Sequence, residues 1–169
     1  EELGIPQPDV RLGCGGGSHA EQTAKIMVAY EQLCQQTRPA ATLVVGDVNS
    51  TLACAIVAKK LCIPVAHVEA GLRSGDRSMP EEINRLVTDA ISDWFFVTEP
   101  AGLAHLKREG QPDGAVFDVG QHDDEVFIAM ELVEGETLRS WMSGAHSTDA
   151  IVEVAGGGSV IDTSVWAPV

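Results

Sequence analysis

Three carboxylates stand where an alternating fold gathers its chemistry. Asp47 follows the apolar run Thr42-Leu43-Val44-Val45-Gly46, Glu69 ends the stretch from Ile63 to Val68, and Glu81 opens a helix after Met79-Pro80. If the two runs are neighbouring parallel strands, the three acids converge on one crevice beyond the strands' carboxyl ends, where such sheets bind ligands. Carboxylates gathered in this way take up and release protons. Two of them have a structural alternative: Asp47 at a strand end can cap the following helix, and Glu81 completes a capping box with Ser78. His67, inside an apolar strand, reads as a hydrogen-bonded core histidine rather than a metal ligand. No metal constellation and no cofactor motif is read from the sequence.

The elements that must position these groups follow from the hydrophobic period. Gly13 to Gly17 form a glycine-rich loop, either a phosphate cradle or a flexible connection, since a third glycine at G-x-G-x-x-G spacing is missing. Ser18 and Glu21 predict a capping box, and the helix behind it places Ala20, Ala24, Met27 and Cys34 on a buried face before Arg38-Pro39. Strands are expected at about 42–46, 64–68 and 94–97, with helices over 50–61, from Ser78 to about Ser92, and over 100–109. Helices alternating with strands predict an α/β fold, a partial doubly wound, Rossmann-like parallel sheet. Beyond Pro112 the pattern changes to a β-hairpin (116–119 and 126–130), a short helix (135–142), a polar link, and a strand at 151–154. The expected organisation is 1–112, 113–142 and 143–169.

With 169 residues and 17.9 kDa, the chain has room for one core and a small appendage. Eleven basic against 25 acidic residues give a net charge of −14, which argues against nucleic-acid binding. Residues 113–169 hold one Arg against eleven acids, so a basic protein partner is the alternative that charge suggests. Cys14, Cys34, Cys54 and Cys62 lack C-x-x-C spacing and read as reduced core thiols. With no long apolar run and no signal peptide, the expectation is a cytoplasmic protein away from membranes. The missing initiator Met suggests that the chain starts inside a longer parent.

Residues 3–112 resemble the non-hydrolysing and related UDP-N-acetylglucosamine 2-epimerases through GSHAEQTAKIM, VVGDVNSTLACAIVAKKL, IPVAHVEAGLRSGDRSMPEEINR and FVTEP, in the family's order. The resemblance implies one half of a two-lobed fold. It also implies a reaction in which UDP is eliminated to a glycal and re-added after reprotonation at C2. On that basis Asp47, Glu69 and Glu81 are the catalytic acids. Arg73 and Arg85 organise carboxylates or meet phosphate, and His19 and Gln22 lie near the nucleotide sugar. The family's G-T-R-P-E loop and second lobe have no counterpart here, so UDP-GlcNAc binding is expected to be weak. Residues 115–142 resemble bacterial serine/threonine kinases, with Met130 as gatekeeper and Glu131-Leu132-Val133 as hinge. Residues 159–166 resemble the first strand of PIN-domain nucleases. Together the three stretches read as a mosaic.

Overall fold

The computed structural model describes residues 8–122, 125–128, 151–155 and 160–162. Among these residues four α-helices alternate with the first five strands and three further strands follow: β1 (Val10–Arg11), α1 (His19–Thr37), β2 (Ala41–Val45), α2 (Asn49–Lys60), β3 (Val65–Val68), α3 (Pro80–Ile91), β4 (Trp94–Val97), α4 (Pro100–Arg108), β5 (Val116–His122), β6 (Glu125–Ile128), β7 (Ile151–Ala155) and β8 (Val160–Asp162). The sheet order is β1-β8-β7-β2-β3-β4-β5-β6. Strands β7, β2, β3, β4 and β5 are parallel to their neighbours, whereas β6, β8 and β1 add antiparallel at the two ends. The architecture is therefore the expected α/β one, with a parallel centre. Because β2 to β5 advance one place at a time through right-handed crossovers, α2, α3 and α4 fall on the same face.

That face holds the larger core. Val44 and Val65 point from the sheet into Ile26, Tyr30 and Leu33 of α1 and Ala53, Val57 and Ala58 of α2. The alanines of α2 let the two helices approach closely. Tyr30 is fully buried, and its hydroxyl has a partner in Thr42 Oγ1 at 2.7 Å. On the opposite face Ala66, Phe96 and Val119 form a second cluster, where the Phe96 and Phe117 rings stack with centroids 5.4 Å apart.

Local signals explain most helix ends. Ser18 Oγ accepts from the Glu21 N–H, and the Glu21 carboxylate accepts from the Ser18 N–H, which is the capping box expected at α1. The close return of Glu21 requires Gly17, where a Cβ would sit 2.8 Å from Glu21 Oε2. Three expectations are corrected. The box of Ser78 and Glu81 does not form: α3 begins with Pro80 at its first position behind Met79, which puts Glu82, not Glu81, at the third position, and Ser78 bonds Asp76 instead. Of the face proposed for α1 only Cys34 is buried with Ile26, Tyr30 and Leu33, because Ala20, Ala24 and Met27 line an open cleft. Cys62 is exposed rather than a core thiol, since it lies in the turn after α2 with φ 60. Cys14, Cys34 and Cys54 are buried thiols outside any disulfide.

The hairpin is present as β5 and β6. The helix expected at 135–142, the hinge-like Met130 and Glu131 to Val133, and the acids Asp123 and Asp124 lie outside the described residues. Among the described residues no helix is long and apolar enough to cross a membrane.

Candidate active site

Parallel strands release their chain at one edge of the sheet, and the acidic residues sit there. Gly46 leaves β2 with φ 71, its N–H donating to Val68 O at 3.1 Å, and this bond ties the end of β2 to the end of β3. Asp47 follows. Glu69 leaves β3 with φ 68, a left-handed backbone that is costly for a residue with a side chain. Its carboxylate lies against Gly46: a Cβ added there would be 3.6 Å from Glu69 Oε2. A Cβ would fit there at ordinary contact distance, so it is the positive φ that favours glycine at 46, and the Glu69 carboxylate rests next to the residue that precedes Asp47.

Helix α3 supplies the opposite wall. Arg85 Nη2 donates to Asp47 Oδ2, and Asn84 Nδ2 donates to the Asp47 carbonyl at 2.7 Å, so both the side chain and the backbone of Asp47 are held. Glu81 lies one turn before Arg85, on the same side of the helix. Among the described residues, neither Glu69 nor Glu81 makes a hydrogen bond or ion pair with another side chain, and Glu69 is exposed.

Glu82 is the acid that sequence reasoning missed. It is 2% exposed and accepts from the Ser74 N–H at 2.8 Å, Ser74 Oγ at 3.0 Å and the Gly75 N–H at 3.1 Å, while Arg85 Nη1 lies at 3.4 Å. Burial alone would raise its pKa, but these donors hold the carboxyl below the usual carboxylate range. The signal was available: Pro80 at the first helical position makes Glu82 the third, from which a carboxylate reaches back over the preceding loop. Glu82 and Asp47 share the Arg85 guanidinium, which links the loop before α3 to the end of β2.

A cleft of about 440 Å³ opens between α1, α2 and α3, lined among others by His19, Thr23, Met27, Asn49, Ile83 and Asn84. Asn49 Nδ2 donates to Gln22 Oε1 at 2.6 Å and lies 3.2 Å from His19 Nδ1, so His19 and Gln22 meet at the start of α2, two residues after Asp47. Asn84 belongs to this lining and also bonds Asp47, which makes the cleft continuous with the acidic edge. Arg73 is placed differently. Its side chain is 6% exposed and its guanidinium faces Asp89 and Glu109, at 2.7 and 2.6 Å, rather than the three acids.

His67 is fully buried with both ring nitrogens bonded: Nε2 donates to Gly46 O at 2.8 Å and Nδ1 meets Asp89 Oδ1 at 2.6 Å. It is the core histidine expected. Burial would push the Asp89 carboxyl up, but His67 and Arg73 hold it below the usual carboxylate range. Among the described residues no group of three or more His, Cys, Asp or Glu is arranged to hold a metal.

Compared with known families, residues 1–150 match UDP-N-acetylglucosamine 2-epimerase. The chain belongs to the UDP-N-acetylglucosamine 2-epimerase family. It is 48% identical over 120 residues to the UDP-N-acetylglucosamine 2-epimerase of Methanocaldococcus jannaschii, covering 71% of this chain and 33% of that one. The match to the UDP-2,3-diacetamido-2,3-dideoxy-D-glucuronate 2-epimerase of Pseudomonas aeruginosa is 47% over 133 residues, covering 76% and 38%. The structure of the Methanocaldococcus jannaschii epimerase in complex with UDP-GlcNAc and UDP superposes with a TM-score of 0.68 at 47% identity, over 70% of this chain and 33% of that one. The chain thus spans about a third of the length of these epimerase relatives. The family match runs through residues 115–142.

Proposed function

We propose that this chain carries the acid–base edge of a nucleotide-sugar 2-epimerase site, acting on a UDP-linked 2-acetamido sugar. The observation that carries the reading is the grouping at one sheet edge of Asp47, held by Arg85 and Asn84, with Glu69 beside it and Glu81 on the facing helix. Two relatives named for different UDP-linked sugars are both named 2-epimerases, and proton transfer at C2 is the chemistry such an edge suits. One carboxylate removes the C2 proton and keeps it, the C1–O bond to UDP breaks as the C1=C2 bond forms, and a second, protonated carboxyl group delivers its proton to the opposite face of C2 as UDP re-adds at C1, which completes the inversion. Arg85 and Asn84 hold Asp47 in place. Glu69 and Glu81, which have no side-chain partner among the described residues, are the groups we assign to proton transfer at C2.

Binding by this chain alone is weak on this reading. Among the described residues, those lining the cleft include no Lys or Arg to neutralise a diphosphate, and a positioned acid without a gripped substrate does little. The test is titration of UDP-GlcNAc into the isotopically labelled 169-residue chain, followed by amide chemical shifts. Perturbations should centre on 46–49, 69–71 and the first turn of α3 and vanish in Asp47→Asn/Glu69→Gln. Shifts scattered elsewhere, or none at millimolar nucleotide sugar, would refute it.

A further inference from the structure

The acids of the edge are anchored from below by groups that never reach the surface. His67 Nε2 donates to the carbonyl of Gly46, the residue before Asp47, at 2.8 Å. Through Nδ1 the same ring meets Asp89 Oδ1 at 2.6 Å, and Asp89 Oδ2 accepts the N–H of Gly71, two residues after Glu69, at 3.0 Å. A carbonyl only accepts, so Nε2 carries a proton, and the ionised Asp89 accepts at Nδ1. One buried couple, with side chains 0% and 1% exposed, therefore grips both strand-end loops.

The couple is braced in turn. Arg73 pairs with Asp89 Oδ2 at 2.7 Å and with Glu109 at the end of α4, and His105 Nδ1 donates to the Gly71 carbonyl at 2.9 Å. A plain apolar core would be simpler to build, since removing two polar partners together for matching apolar groups is close to neutral in stability. What apolar residues cannot do is hold a carbonyl and an N–H of two loops at fixed separation.

We propose that His67 and Asp89 are positioning residues that set the distance between the Asp47 and Glu69 carboxylates by fixing Gly46 and Gly71. The proposal rests on the acid–base reading of those two residues, but its test needs no nucleotide sugar, so the two can fail separately. In the unliganded wild-type chain, nitrogen-resolved NMR should show a slowly exchanging His67 Nε2–H. In His67→Phe, which keeps ring bulk without donors, exchange of the Gly46 amide should quicken by about tenfold, the worth of one hydrogen bond. The Arg85 Nε–H and Asn84 side-chain amide signals should move, because their partner Asp47 has shifted. His67→Gln, which can still donate to Gly46 O, should restore both signals and bring exchange back to near wild type.

A merely structural role predicts something else: acceleration by the same factor at all amides, Tyr30 and Leu33 of α1 included, with no rescue by glutamine. That outcome overturns the proposal, as do unchanged Arg85 and Asn84 signals in His67→Phe. Should His67→Phe not fold, the wild-type ring proton decides, and rapid exchange of Nε2–H with solvent refutes the arrangement.

Discussion

Replacing Gly71 by alanine should damage this fold more than any comparable change in its loops. Gly71 has φ 78, and a Cβ there would sit 2.5 Å from the Gly102 carbonyl oxygen and 2.8 Å from its carbon and Cα. The obstacle is backbone of α4, which cannot rotate aside. Left-handed geometry costs alanine about 1–2 kcal/mol, and forced overlap in a packed region adds about 1–3 kcal/mol, so the variant should lose about 2–5 kcal/mol. Gly75 provides the control: its φ is 76, but nothing lies within 4 Å of its Cβ position. Gly75→Ala should lose only the conformational part, and the gain from a stiffer unfolded chain is common to both. Gly102→Ala should fall between them, because its clash is with the Val97 side chain at 2.7 Å and the Ala70 carbonyl at 2.9 Å, while alanine is the better helix former. Urea unfolding of the three variants measures this directly. If Gly71→Ala and Gly75→Ala agree within about 0.5 kcal/mol, the close approach of α4 to the loop after Glu69 is not the constraint argued here.

Ser18→Ala should cost about 1 kcal/mol by removing one arm of the α1 capping box, read from the shift in urea midpoint. Asp89 and Glu82 sit below their ordinary values of 3.8 and 4.5, so each stabilises fully above that value and loses its contribution as pH falls through the lower, folded one. The melting temperature should therefore hold between about pH 5 and 7 and drop below about pH 4, with a shallower acid slope in Asp89→Asn. Asp47→Asn should change stability by less than about 1 kcal/mol, since its pair with Arg85 is partly open to water. The 169-residue chain by itself should show no UDP-GlcNAc 2-epimerisation above background. Turnover that disappears in Asp47→Asn would overturn that expectation, because a contaminating enzyme would not respond to the change.

The parallel centre of the sheet was legible because β2, β3 and β4 are short, continuous apolar runs bounded by glycine, proline and acidic residues, the pattern of buried parallel strands. The positions of Asp47 and Glu69 were legible for the same reason, since they follow from where strands end. Helix faces were harder. Small residues at Ala20 and Ala24 fit a buried stripe as well as a cleft wall, and only the neighbouring helix decides between them. Glu81 and Glu82 differ by a single register step at the start of α3, and the proline, not the Ser-x-x-Glu pattern, set that register. Nothing in the composition around Arg73 distinguishes a side chain turned to a ligand from one facing Asp89, because its partners come from α3 and α4, 16 and 36 residues away in sequence.

Glu69 holds a backbone angle that almost any engineer would remove. At φ 68, glycine or asparagine would sit more easily than glutamate, by about 1 kcal/mol or more. A population of variants selected for heat resistance alone should therefore drift toward Glu69→Gly or Glu69→Asn, growing sturdier as it loses the carboxylate beside Asp47. On the proposed role of Glu69, thermal tolerance and ligand binding pull in opposite directions at this single residue, and a library scored on heat resistance and on UDP-GlcNAc binding would register that conflict as depletion of glycine at 69 only when binding is demanded.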